Sequence, residues 1–531
     1  MRAKKYMPNN FLTRVLLCAL VIIFSGTIFL ISSKFNNVTN GIKNYFLITS
    51  LLLFFFVVNI CKIQVHNIKS ALTGDFFYAL FCVGSIECLY VVAQFLIIIK
   101  NGFHTMLPSG LYENPAGVIT HLALLYPLGL FRALTTRGCK KIIAIIQLLL
   151  YVFVIFVCKS RTGLIAIIIS TVTYFIISSN CFRKRLSNIY VIFGLVIALF
   201  IFCLYVYRWK IDSTNGRILI WKVCLNMIKE KPILGYGFDG FTSNYMLSQA
   251  DFFLNNPKSK YALLADNTSN PLNFYVHVAV VSGAVGLLCV AGVLFFLFYR
   301  VNRLKDSNKV VWYSIIASLL TMGMFTYPFH YASVWFITFF LVLYPLYDIL
   351  PSKIQIWTRI VFAVLIGCCL YCVNNMALND IRWKHVQDKS FNEGKTLLML
   401  KYYKRLYPQL RYNKHFLYNY GAELNYCGYY AESKQIMDEC CLKLNDYNVQ
   451  LIQADNYYNI GDTLSAIKSY QLAKNMIPCR FIPLEGLLDI YLSQQHNDEA
   501  KAIAKEIVSK PIKIRSSIVE DIVNKAKGVL Q

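Results

Sequence analysis

About eleven apolar runs, each near the length that crosses a bilayer, constrain this chain more than any other feature. A bilayer core takes roughly 20 apolar residues per helix. Runs of that kind lie near 11–32, 44–64, 74–99, 114–131, 141–158, 163–179, 188–207, 271–299, 310–326, 332–348 and 356–376. The expected fold is therefore all-α, a polytopic membrane helical bundle. Composition agrees: 57% of the residues are hydrophobic and 15% charged, with a mean hydropathy of +0.49, outside the range of soluble globular chains. Arg2, Lys4 and Lys5 precede the first run as they would in a signal peptide. The run is too long for one and no small-residue cleavage site follows convincingly, so it is read as an uncleaved helix.

The net charge of +26 suggests nucleic acid until the basic residues are placed along the chain. They alternate by side. Arg2, Lys4 and Lys5, then Lys62 and Lys69, Arg132 to Lys141, Arg183 to Arg185, Arg300 to Lys309 and Lys353 share one face, while the intervening loops carry few. This bias puts the N-terminus in the cytoplasm of an inner-membrane protein, and no nucleic-acid partner is expected. Counting spans from there puts five segments on the outer, periplasmic face: 100–113, 159–162, the long loop 208–270, the turn 327–330 and everything after 377.

Beyond 377 the hydropathy collapses, so two parts are expected: a membrane domain over 1–376 and a periplasmic helical domain over 377–531. Segments 418–445, 451–477 and 483–509 look alike, with Ser433, Ala466 and Ala500 at matching positions. That period, about 34 residues, is the one of tetratricopeptide repeats, which implies a TPR-like solenoid serving either as a plain helical cap or as a docking surface for a partner or acceptor. Most of the 17 cysteines lie in apolar runs. Cys427, Cys440, Cys441 and Cys479 would face an oxidising compartment, where a disulfide among them can form. No cysteine–histidine spacing fits a structural zinc, so no metal is expected.

The polar segments supply the candidate chemistry. Gly216-Arg217 opens an expected amphipathic helix that carries Trp221 one turn on, with Ile218, Leu225 and Ile228 resting on lipid or on the bundle. Gly235-Tyr236-Gly237 then allows a tight backbone turn. Ser160-Arg161-Thr162-Gly163 interrupts two apolar helices at the same face, and Thr162 with Gly163 can start the second. An arginine there is either a snorkelling anchor or an anion ligand; two such arginines, Arg161 and Arg217, suit one lipid-linked diphosphate through forked donors. The glycine turn lacks the spacing and the preceding strand of a dinucleotide site.

Four stretches in this order resemble the O-antigen ligase and polymerase family: Glu113-Asn114-Pro115-Ala116-Gly117, Ser160-Arg161-Thr162-Gly163, Gly216-Arg217 through Trp221 to Gly240-Phe241, and Asn270-Pro271-Leu272-Asn273-Phe274-Tyr275 leading to Gly283 and Gly286. Tyr327-Pro328-Phe329 also fits. The resemblance implies a GT-C-like glycosyltransferase that moves a glycan from an undecaprenyl-diphosphate carrier to lipid A core or to an exported protein at the periplasmic face. A polymerase acting on a second lipid-linked glycan is the alternative. It further implies diphosphate binding by Arg161 and Arg217, supported by Ser160, Trp221, Gly235, Gly237, Asn270 and Asn273. Relatives place a histidine just before the residue matching Asn273; here Asn270 or Leu272 stands there. His277, one turn later, and His330 are the substitutes, each equally readable as a packed or interfacial histidine, and Asp266 and Asp239 are carboxylate alternatives. No two aspartates stand two apart, whereas metal-using oligosaccharyltransferases anchor a cation on such a pair, so the expected reaction is metal-independent, needs no cofactor and inverts the anomeric centre. From another class, a lipid-glycan flippase or a non-catalytic assembly scaffold would call for repeated membrane halves and mid-bilayer charges. Glu87 and His121 are within spans, but no internal repeat is evident.

Overall fold

The computed structural model describes residues 10–61, 74–103, 106–179, 211–304, 309–346 and 355–531. All regular structure among them is helical: twenty α-helices and two short 3-10 turns. Contacts divide the chain into two units, one of Met1–Phe202 with Ala291–Lys384 and the other of Cys203–Val290 with His385–Gln531.

The first unit contains α1 (Asn10–Phe29), α2 (Asn40–Ile60), α3 (Gly74–Lys100), α4 (Pro115–Thr135), α5 (Cys139–Val157) and α6 (Arg161–Ser178). The later part of α9 (Phe274–Asn302), α10 (Lys309–Phe325), α11 (Ala332–Leu346) and most of α12 (Ile356–Phe391) complete it. Eight described helices are long and apolar enough to cross a membrane, and α10 and α11 are shorter apolar helices. These occupy ten of the expected positions; the run 188–207 lies outside the described residues. In α4, 78% of the apolar window is buried, against 33% or less in the other spans, so α4 is the central helix and its neighbours turn a face to lipid. Glu87 of α3 and His121 of α4 are hydrogen-bonded to each other and fully buried, the pairing that an ionisable group in apolar surroundings requires.

The second unit joins α7 (Ile211–Glu230), α8 (Gly240–Asn255) and the start of α9 to the C-terminal helices. These are α13 (Thr396–Leu410), α14 (Lys414–Tyr426), α15 (Tyr430–Cys441), α16 (Tyr447–Asn459), α17 (Thr463–Met476), α18 (Ile482–Ser493), α19 (Asn497–Ser509) and α20 (Ser517–Leu530). Helices α14 to α19 form three successive helical hairpins, and Ser433, Ala466 and Ala500 are fully buried at equivalent points in them. Leu219, Val223 and Met227 of α7 and Phe241, Tyr245 and Met246 of α8 share one core with Tyr447, Ala473 and Met476. Gln249 Nε2 donates to the Met476 carbonyl (2.7 Å) and Thr242 Oγ1 to that of Lys443 (2.6 Å). Cys427, Cys440, Cys441 and Cys479 are all free thiols, so the disulfide considered among them is not formed.

Candidate functional site

Arg161 is the first residue of α6, and its turn is rigid. Ser160 Oγ caps the helix by accepting from Gly163 N–H (3.1 Å), and Lys159 before it has φ of 50°, a conformation an L-residue adopts only when its surroundings impose it. A Cβ on Gly163 would lie 2.5 Å from Ile119 Cγ2 of α4, so glycine is what lets the start of α6 close onto the central helix.

Arg217 is not at a helix start. Helix α7 already runs from Ile211, because the weak helix formers Ser213, Thr214, Asn215 and Gly216 cost little enough for packing to override them. Its buried face is Leu219, Val223, Cys224 and Met227, while Leu225 is exposed and Ile218 and Ile228 are half-buried at the edge. Trp221 Nε1 donates to the Pro271 carbonyl (2.9 Å), tying the arginine helix to the turn that opens α9. Within that turn the Asn270 side chain accepts from Leu272 N–H (3.1 Å), steadying Leu272 at φ 53°, and Asn273 caps α9 by accepting from Tyr275 and Val276 N–H (2.9 and 3.1 Å).

Helix α9 is broken at Gly283, which takes φ 57° and ψ −152°. The break is filled by the glycine turn. Tyr236 and Gly237 N–H donate to the Val280 and Val281 carbonyls (2.9 Å each), and Ala284 and Val285 N–H donate to the Pro232 and Ile233 carbonyls (2.8 and 3.2 Å). Segment 232–237 thus pairs with the four backbone groups that the interruption frees, meeting the requirement that such groups find partners. A Cβ on Gly235 would lie 2.5 Å from the Val280 oxygen and one on Gly283 2.3 Å from that of Ile233. Gly235 therefore serves a backbone-to-backbone approach, whereas the space about Gly237 is open.

The carboxylates and histidines have specific partners. Asp266 pairs with Arg480 (3.4 Å), in the connection between α17 and α18, and Asp239 with Lys414 (3.1 Å), the first residue of α14. His277 is half-buried beside the Phe241 ring, centroids 5.8 Å apart, and its Nδ1 has no hydrogen-bond partner.

His330 belongs to a polar cluster in the first unit. Its Nε2 lies 3.0 Å from Asn40 Nδ2 and 3.7 Å from Glu113 Oε2, and Glu113 also accepts from Asn37. Hydrogen bonding from His330, aided by that from Asn37, holds the Glu113 carboxyl below its ordinary value. Asn40 Oδ1 is buried without a partner. The Asn40 amide also hydrogen-bonds the Glu113 carboxyl, so it donates within this cluster; if a proton sits on His330 Nε2 the carboxylate accepts it, and Nδ1 is left with a free lone pair. Asn114 joins the same cluster by donating to Tyr327 OH (3.0 Å) and accepting from Tyr331 OH (3.2 Å), so the Glu113-Asn114 and Tyr327–His330 segments meet at one end of the unit.

Arg217, Trp221, Gly235, Gly237, Asp266, Asn270, Asn273 and His277 therefore share the second unit, and Ser160, Arg161 and His330 the first. Sequence reasoning gave no role to Asn37, Asn40 or Glu113; only the motif containing Glu113 pointed there.

A family model described as O-antigen ligase matches residues 146–291. The matched stretch contains both arginines, Trp221, the glycine turn, Asp266, Asn270, Asn273 and His277, and stops before His330. A protein of Rickettsia felis described as "Putative polysaccharide ligase" is 28% identical over 116 residues, which are 22% of this chain and 27% of that protein. The chain thus spans about a quarter of the length of this curated relative. The likeness to O-antigen ligases, inferred above from motifs, is found independently by these matches.

Proposed function

We propose that this multi-pass membrane protein is a glycosyltransferase of the O-antigen ligase type, taking its glycan from undecaprenyl diphosphate at the periplasmic face of the inner membrane. The observation that carries the proposal is the O-antigen ligase match over 146–291, which holds both Arg161 and Arg217. Arg161 and Arg217 bind the diphosphate, and their guanidinium groups stabilise the charge that develops on it as it leaves, without a metal. The acceptor oxygen attacks the anomeric carbon, the bond from that carbon to the phosphate oxygen breaks, and the electron pair departs with the lipid diphosphate. The configuration inverts.

His330 takes the hydroxyl proton at Nδ1, oriented through Nε2 by Glu113. Its partial exposure and nearby carboxylate support this over His277, whose Nδ1 is buried. A second reading keeps His277 as the base, because it lies inside the matched stretch and one turn beyond the capping Asn273. The acceptor is lipid A core or an exported protein, with the C-terminal helices acting as TPR-like repeats that dock it; polymerisation of a lipid-linked glycan is the neighbouring alternative.

The test is Arg217→Ala in purified protein supplied with lipid-linked glycan and acceptor. Release of lipid diphosphate should be abolished while expression and membrane insertion persist, and a chelator should leave the wild-type rate unchanged. Normal release by the variant would remove the arginine from the mechanism.

A further inference from the structure

A cleft of about 220 Å³ opens in the second unit between the turn at Asp266, the stretch Cys479–Ile482 and the connection that leads into α20. Its floor is apolar, with Phe481 and Ile522 nearly inaccessible. Its rim carries three branched side chains facing water: Ile482, Ile514 and Ile518 are 45%, 61% and 60% exposed. Two cations, Arg480 and Lys513, line the same cleft, and Asp266 is the one acid among the lining residues. Apolar groups gathered around a concavity and rimmed by charge mark a binding surface rather than scattered exposure.

We infer that this cleft docks a polypeptide segment bearing acidic and branched apolar side chains, and that it belongs to the acceptor. The acceptor role rests on the function proposed above. Three observations support the choice of ligand. Charge is complementary, since the excess of cations calls for carboxylates. The Asp266–Arg480 pair at 3.4 Å is exposed on both sides; such a pair contributes little, so an incoming carboxylate can take the place of Asp266 at small cost. The exposed isoleucines need alkyl side chains to cover them, which a peptide has and a phosphorylated core saccharide lacks. Location agrees: Asp266 is four residues before Asn270, in the loop whose Pro271 carbonyl is held by Trp221. A segment lying in the cleft is delivered beside the turn that opens α9.

The experiment uses the full-length protein in detergent and the anisotropy of a short fluorescein-labelled peptide of aspartate and leucine. Its partners are the same peptide with lysine for aspartate and a delipidated phosphorylated core oligosaccharide. The acidic peptide should bind, and the lysine peptide should not. Arg480→Glu with Lys513→Glu should weaken binding roughly tenfold by removing two rim charges and adding repulsion, and Ile514→Ser should weaken it with the charges intact. In a transfer assay the double variant should raise KM for a protein acceptor carrying such a segment and leave kcat unchanged. Equal binding of the two peptides, unaltered binding by the double variant, or binding of the saccharide at this cleft in place of the peptide overturns the inference. The two readings fail separately: peptide binding that persists where no acceptor supports transfer defeats the glycosyltransferase and leaves the cleft standing, whereas transfer without peptide binding defeats the cleft alone.

Discussion

The imidazole of His330 is served by side chains remote in sequence, Asn40 lying 290 positions away. Nothing local marks such a pairing; the motif around Glu113 is visible as a string, but its contact with the Tyr327–His330 turn exists only once α2, α4 and α11 are packed. Arg161 and Ser160 are the contrary case, because the string Ser160-Arg161-Thr162-Gly163 before an apolar run is a local signal for a helix start; the sequence puts that start at Thr162-Gly163, and the structure puts it at Arg161 with Ser160 as the cap. If His330 removes the acceptor proton, His330→Gln should lower the initial rate of lipid-diphosphate release by roughly 10²–10⁴-fold. Glu113→Gln should lower it less, and the double variant should match His330→Gln alone, since the carboxylate acts through the imidazole. An additive double variant would separate the two residues. The Glu113 carboxyl is also held below its ordinary value by His330 and Asn37, which fixes a sign. Its stabilising contribution is complete above the ordinary carboxyl range and is lost as pH falls through the depressed value. Amide protection in the 30–40 segment, which Asn37 ties to Glu113, read as the exchange rate divided by the intrinsic rate at each pH, should accordingly stay high at neutral pH and fall on acidification, and Glu113→Gln should flatten that dependence.

At the scale of elements, the interlock between segment 232–237 and the break in α9 joins two motifs that sequence reading kept apart. Gly235 and Gly283 each stand out as glycines in recognisable strings, and the hydropathy of α9 is continuous across Gly283, so the pattern reads as one unbroken helix. The interruption is a backbone event, and side-chain periodicity has no term for it. Its consequence is positional, because the four hydrogen bonds fix the C-terminal side of α7, which carries Arg217 and Trp221, against the helix of Asn273 and His277. Gly283→Ala must place a methyl 2.3 Å from the Ile233 oxygen at a φ of 57°. The expected loss is about 2–6 kcal/mol, of which about 1–3 is backbone strain and about 1–3 the clash with that oxygen, seen as a lower unfolding temperature of the detergent-purified protein, together with reduced transfer. Gly237→Ala, also at positive φ but in open space, should cost only about 1–2 kcal/mol of backbone strain and retain the interlock. Equal effects of the two substitutions would show that local strain, and not the approach of the two backbones, is what the glycines relieve.

Across the whole molecule, hydropathy locates the ten apolar helices among the described residues, since apolar length is a property of contiguous residues. It marks the end of apolar sequence near 377, but contacts group residues 203–290 with 385–531, which no pattern along the chain announces. The faces of α7 show the same limit: Leu219, Val223 and Met227 are buried while Leu225 is exposed, and the choice between these registers depends on a partner some two hundred residues later. The loop helix α8 is where this matters most. Phe241, Tyr245, Met246 and Phe253 are almost completely buried in a core completed by Ala473 and Met476, and each such side chain contributes about 1.5–3 kcal/mol by leaving water. A chain cut after Phe391 keeps every candidate membrane span but loses that partner, along with Lys414 for Asp239 and the Met476 carbonyl for Gln249. Such a truncation should insert normally yet be cleaved rapidly by protease within 240–255 and lose transfer activity. Met476→Asp in the full chain isolates the cause, because it places a carboxylate in the same core while keeping the repeats. Rapid cleavage of 240–255 in both variants would show that the loop is folded by the C-terminal helices; resistance in both would mean that α8 holds its structure without them.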